Sequence, residues 1–302
     1  MLGGARVRVL EPSPPAIVDE FFADDPVNTE PGGSGAIVSP VSNADARWVD
    51  HATADDAADF ARENWLGPYK RLPSPPAALA ATRLALHRVG AYVMSPARRR
   101  TNDKIALRYT RGGFGTPFYG EDEQIRTENG LLIHQVGDDV RSVPISSLNA
   151  VGDFIGAPPD VAWASQFDIP EPGGLDEVLS VDLEAAAFLG DWFGFAYSVL
   201  EELRADSASV EASRVQLWPE HFDPAFEMLA DPRRASYGAS PGDGAIDEPY
   251  LYVGPWSPAD VPENEFWNTG FASIPLSEFV DAPDQRQVAL DFYRHGRALL
   301  AA

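Results

Sequence analysis

The chain has 302 residues, 44% of them hydrophobic, and a formal net charge of −23. Lys and Arg total 23 against 46 Asp and Glu, which argues against nucleic acid, whose binding rests on neutralising phosphates, and against an anionic membrane surface. With no cysteine, disulfides, thiolate nucleophiles and Cys-ligated zinc are excluded.

The N-terminal stretch has no continuous apolar run followed by a small-residue cleavage site, and no uncharged run approaches the roughly 18 residues a membrane span needs. A soluble, cytoplasmic protein is expected. Lysine stands only at positions 70 and 104 while Arg and Ala are abundant, a bias expected of a GC-rich bacterial genome. Residues 1–45 are rich in Pro, Gly, Ser and Asp and read as a flexible or surface-wrapping arm. Residues 46–302 read as one compact body, with 46–160 and 161–302 as possible halves.

Within that body, Thr53 is placed to cap a helix over 53–65. Pro75-Pro76 then precedes a run with Leu79, Leu86 and Val93 at heptad spacing, which predicts a helix of about five turns. The Arg98-Arg99-Arg100 cluster reads as the solvated C-terminus of that helix rather than an anion site. Residues 104–145 predict about four antiparallel strands, with Asn129-Gly130 as a tight hairpin turn. A second long helix is expected over Leu183–Arg204 with Asp182 as N-cap, and Gly190 and Gly194 on it permit a close neighbour. Glu184, Asp191 and Ser198 recur every seven residues and read as its solvated stripe. Strands follow around 214–218 and 248–254, and a last helix is expected over Pro283–Leu300, capped by Asp281. The fold class predicted is α+β: antiparallel sheets with two long helices packed on them, in two similar halves.

The residues best suited to chemistry lie between Arg214 and Trp256. In an extended segment His221 and Asp223 share a face, where they fit a metal site or a base with its orienting partner. The plainer alternative has His221 at a strand end and Asp223 as a cap. Asp243 and Glu248, in a Pro/Gly loop, complete with them an oxygen-rich set for one divalent ion (Mg, Ca, Mn or Zn), or else serve the turn itself. Trp218 and Tyr250 are placed to wall a binding pocket. Arg108 and Arg111 flank Thr-Arg-Gly-Gly-Phe-Gly-Thr-Pro, which suits an anion cradle or a wide β-turn. His51, His87, His134 and His295 are isolated and read as structural.

Gly112–Phe118 (GGFGTPF), Phe188–Phe195 (FLGDWFGF), Leu217–Asp223 (LWPEHFD), Tyr237–Asp243 (YGASPGD) and Glu248–Trp256 (EPYLYVGPW) together resemble a family of actinobacterial proteins of uncharacterised function. The resemblance implies a cytosolic bacterial protein and transfers no catalytic residue. The residues lead to two functional expectations. One is a small-molecule-binding or hydrolytic protein with a polar pocket at strand ends, with or without a divalent metal. The other is a non-catalytic interaction module using an aromatic surface or the acidic arm.

Overall fold

The computed structural model describes the backbone of Arg8–Val9, and residues 71–302 other than 111, 121, 258–260, 262 and 268–269. The rest of the N-terminal arm, the helix expected over 53–65, His51 and Arg111 lie outside the described residues.

The fold is α+β, with two antiparallel sheets. The described chain divides into two compact units, one built on Pro76–Gly190 with Trp218–Phe222, the other on Asp191–Leu217 with Asp223–Ala302. The division falls inside a helix at Gly190, later than the boundary expected near 160.

The first unit opens with α1 (Leu79–Val89), a π-helical turn (Gly90–Met94) and α2 (Ser95–Asn102), in one continuous helical run. Asp103 ends it in the left-handed conformation. Strands β2 (Arg108–Thr110), β3 (Gly113–Gly115), β4 (Glu123–Glu128), β5 (Leu131–Val136) and β6 (Asp139–Pro144) follow as a meander, and β1 (Arg8–Val9) pairs with β6 at its edge. Five strands therefore stand where about four were expected. Asn129 and Gly130 both have positive φ (48° and 75°), and Glu128 pairs with Leu131, as the tight hairpin requires. One face of this sheet is apolar and meets the helices. Gly90 makes room there: a Cβ on it would stand 3.2 Å from both Leu107 and Phe114. Short α3 (Leu148–Ile155) sets Phe154 edge-on to His134, with 6.4 Å between ring centroids. α4 (Val161–Ala164) is a single turn.

The Arg98–Arg100 cluster departs from a solvated helix end. Arg98 is buried and donates to the Ala106 carbonyl, while Arg99 and Arg100 reach Asp160 at 3.4 and 3.7 Å. Ile105–Thr110 are buried on both faces.

α5 (Leu183–Ala205) begins as expected, with Asp182 Oδ1 accepting from Ala185 N–H at 2.9 Å. It is apolar on most sides, so it is buried on most sides: Ala185, Leu189, Trp192, Phe193, Val199 and Leu203 are all enclosed. The solvated stripe is narrower than its heptad spacing suggests, since Ser198 is buried and bonds back to the Phe195 carbonyl at 2.8 Å. Gly190 meets its close neighbour within the first unit: a Cβ there would fall 2.5 Å from the Gly112 carbonyl carbon.

The second unit carries the meander β7 (Gln216–Trp218), β8 (Asp223–Ala230), β9 (Arg233–Ser240), β10 (Tyr250–Pro255) and β11 (Ala272–Pro275), in sheet order β11-β10-β9-β8-β7. Both halves thus place a five-strand antiparallel meander after a long helix. The last helix, α6 (Gln285–Ala301), is capped by Asp284, not Asp281; its carboxylate accepts from Gln287 N–H at 2.9 Å. α6 covers the sheet face formed by Tyr237, Leu251 and Val253, with the Tyr293 hydroxyl donating to the Gly238 carbonyl at 2.7 Å. Among the described residues no helix is long and apolar enough to cross a membrane.

Candidate functional site

The segment from Trp218 to Phe222 is a turn, not an extended strand. Phe222 N–H donates to the Trp218 carbonyl at 2.7 Å, and Phe222 has φ of 58°. His87 Nε2 lies 2.8 Å from the Pro219 carbonyl, its ring stacks on Phe222 at 4.9 Å, and Phe114 meets Phe222 edge-on at 4.8 Å. Burial pulls the His87 imidazole down to about 4, outweighing the pull of the Pro219 carbonyl in the other direction. His87 is therefore neutral at pH 7 and donates an Nε2–H hydrogen bond to the Pro219 carbonyl, a structural role.

His221 stands exposed on this turn, and the left-handed Phe222 breaks the alternation that was expected to align it with Asp223. Asp223 is only 2% exposed at the start of β8, where its Oδ2 accepts from the Tyr252 hydroxyl at 2.5 Å. The two do not form the dyad or shared metal site expected of them. Asp243 closes its own loop: Oδ1 accepts from the Ala245 and Ile246 amides at 2.7 and 2.8 Å, and Oδ2 from the Tyr250 hydroxyl at 2.6 Å. Glu248 holds Ser277, accepting from its amide and its hydroxyl, both at 2.9 Å. Among the described residues no group of three or more His, Asp or Glu side chains is arranged to hold a metal ion. The polar residues expected to converge are mostly spent on turns. Trp218 stays in the first unit, half-buried at the end of β7, whereas Tyr250 lies in the second.

A different arrangement is assembled on the face of the second sheet opposite α6. Register pairs Glu227 with Ser236 and Ser236 with Gly254, and in the next row Ala225 with Gly238 and Gly238 with Tyr252. These side chains all point one way, together with Asp223, Ser240 and Tyr250. Gly238 has no side chain to spare here, because a Cβ would enter the Tyr252 phenol ring. That glycine lets the ring cross the strand and reach Asp223. Burial first, and then the Asp223 charge, push the Tyr252 hydroxyl well above its ordinary value, so it is a fixed donor. Burial and Asp243 raise Tyr250 likewise.

Gly254 is different. Among the described residues, a Cβ there would meet only the edge of the Tyr252 ring, at 4.0 Å. No other described residue covers Gly254, with Tyr252 two residues to one side and Trp256, 54% exposed, two residues to the other. Across the strands stand Ser236 and the half-buried Glu227. Glu227 Oε1 lies 3.5 Å from the Ser236 hydroxyl, and Oε2 is enclosed with no hydrogen-bond partner. Burial raises the Glu227 carboxyl to about 7, against the opposing charge of Arg234 and side-chain hydrogen bonding from Ser236 and Trp256. Arg234 is itself engaged, 2.6 Å from Glu211 and over the Trp256 ring at 5.5 Å. The result is a shallow trough with a small-residue floor, two aromatic sides and a carboxyl group near neutrality.

Compared with protein-family models, curated proteins and solved structures, the chain matches none. The glycine-rich segment beside Arg108 is used for packing: a Cβ on Gly113 would enter the Thr127 carbonyl, and one on Gly115 would lie 2.6 Å from Ile125 O. Arg108 is buried and its Nε donates to the Tyr109 carbonyl at 3.2 Å. Glu227 was not singled out from the sequence, where no strand was expected over Asp223–Ala230.

Proposed function

We propose that the protein binds a small organic cation, an amine or quaternary ammonium, in the trough over Gly254. The observation that carries this reading is the half-buried Glu227 carboxyl, whose charge burial disfavours, in register beside the uncovered Gly254. A carboxyl raised to about 7 is half protonated at neutral pH, and a cation against it restores its charge. Tyr252 and Trp256 add ring faces, which attract cations and cover the apolar part of such a ligand. The net charge of −23 draws cations toward the surface.

The reading is one of binding. A hydrolytic step through His221 and Asp223 has no support once His221 stands on an exposed turn. Calorimetric titration of the full chain with a panel of primary, tertiary and quaternary amines tests it. Saturable heat in wild type that is reduced at least tenfold in affinity by Glu227→Gln is the expected result. Equal heats in both proteins, or none in either, would overturn it.

A further inference from the structure

The first sheet has one apolar face toward α1 and α3, and one polar face that the reading above does not use. Arg126 lies in the middle of that polar face and is 5% exposed. Its Nη1 donates to Gln124 Oε1 at 3.2 Å and to Gln135 Oε1 at 3.1 Å. Both glutamines are themselves held by backbone, Gln124 Nε2 on Thr116 O at 3.3 Å and Gln135 Nε2 on Gly137 O at 3.0 Å. This clamp orients the guanidinium and uses only one of its nitrogens. The Nε–Nη2 edge, the fork that matches a carboxylate or phosphate side-on, makes no hydrogen bond among the described residues. No described carboxylate lies within ion-pair distance of it. The nearest influence of opposite sign is Glu128, two residues along the strand.

Two further groups on this face are donors without acceptors. Ser142 lies in register with Ile133, which pairs with Arg126, and Thr110 pairs with Gly113 beside the buried Arg108. The Ser142 and Thr110 hydroxyls are enclosed and have no hydrogen-bond partner. A buried face that holds a guanidinium with no direct ion pair among the described residues, and two idle hydroxyls, is short of acceptors.

We infer that the polar face of the first sheet binds a small oxyanion, a phosphate or carboxylate group, on the Nε–Nη2 edge of Arg126. Gln124 and Gln135 position the guanidinium. The burial-induced drop of Arg126 to about 10 leaves it fully charged at neutral pH. The site is independent of Glu227 and the trough over Gly254.

The test is melting of the full chain after overnight exchange into inorganic phosphate, acetate or chloride at equal ionic strength. Wild type, Arg126→Met and Gly254→Val are compared. Phosphate or acetate is expected to raise the wild-type and Gly254→Val midpoints by at least about 3 °C over chloride. Which anion does so identifies the group recognised. Arg126→Met loses this rise and, without anion, melts no lower than wild type. Should Arg126→Met not fold, calorimetry with Arg126→Lys decides, since it keeps the charge but loses the fork and should bind at least tenfold more weakly. An equal rise in wild type and the Arg126 variants, or no rise over chloride in wild type, would overturn the inference.

Discussion

The Tyr252 phenol crosses Gly238 and donates to Asp223 Oδ2 at 2.5 Å. This one contact links three strands, and it depends on a position where no side chain larger than hydrogen fits. Asp223 is buried, so removing its donor leaves a desolvated carboxyl short of a partner. Tyr252→Phe is expected to lower unfolding free energy by about 1–3 kcal/mol. In a double-mutant cycle with Asp223→Asn, urea denaturation should give a coupling above about 0.5 kcal/mol. Additive losses would show that the bond contributes nothing specific.

The Glu227 carboxyl makes stability fall with pH. Its folded value of about 7 exceeds the ordinary 4.5, so between those limits the native state binds more protons than the unfolded chain. Its contribution is full below 4.5 and is lost as pH rises through about 7. Glu227→Gln should therefore melt like wild type near pH 5 and be more stable near pH 8, by about 1–2 kcal/mol after discounting for partial exposure. Melting curves at the two pH values check this.

His87 acts in the opposite direction. Its folded value of about 4 lies below 6.5, so its contribution is full above 6.5 and is lost as pH falls toward 4. Between about pH 4.5 and 6.5 the two slopes oppose each other, and wild-type stability changes little for these groups. Glu227→Gln uncovers the histidine slope, so its stability should drop more steeply than wild type on acidification through this window. Parallel acid limbs would contradict the raised Glu227 carboxyl, and a flat limb in Glu227→Gln would contradict the lowered His87.

Gly190 inverts the usual helix rule. In an exposed helix interior Gly→Ala stabilises by up to about 1 kcal/mol, but here the added methyl would fall against the Gly112 carbonyl. Gly190→Ala should destabilise by about 1–3 kcal/mol, read from the denaturation midpoint at unchanged slope. A gain in stability would mean that this approach is looser than described.

What could be read from sequence is what local chemistry decides. The Asn129-Gly130 turn and the Asp182 cap follow from positive-φ tolerance and from a carboxylate three residues before an amide, and both are in place. Even local signals fail when two candidates compete: Asp284 rather than Asp281 caps α6, because its side chain reaches the Gln287 amide. The expected His221–Asp223 site fails for a longer-range reason. His87 and Phe114, far off in the chain, hold Phe222 in a left-handed turn, so the two-residue alternation does not apply. Arg98 likewise reads as surface, yet in the fold it is buried and donates a hydrogen bond to the Ala106 carbonyl. Glu227 and Arg126 carry no motif. What distinguishes them is the partner each lacks, and only tertiary structure displays that.

The most direct test of the cation-binding trough is an amine-panel thermal-shift screen near pH 8 on wild type and Gly254→Val. Valine at 254 fills the open space without backbone strain, since Gly254 does not hold a positive φ. The account predicts that at least one amine raises the wild-type midpoint while the folded Gly254→Val protein does not respond. If no amine stabilises wild type, or if Gly254→Val responds equally, the trough is not a binding site.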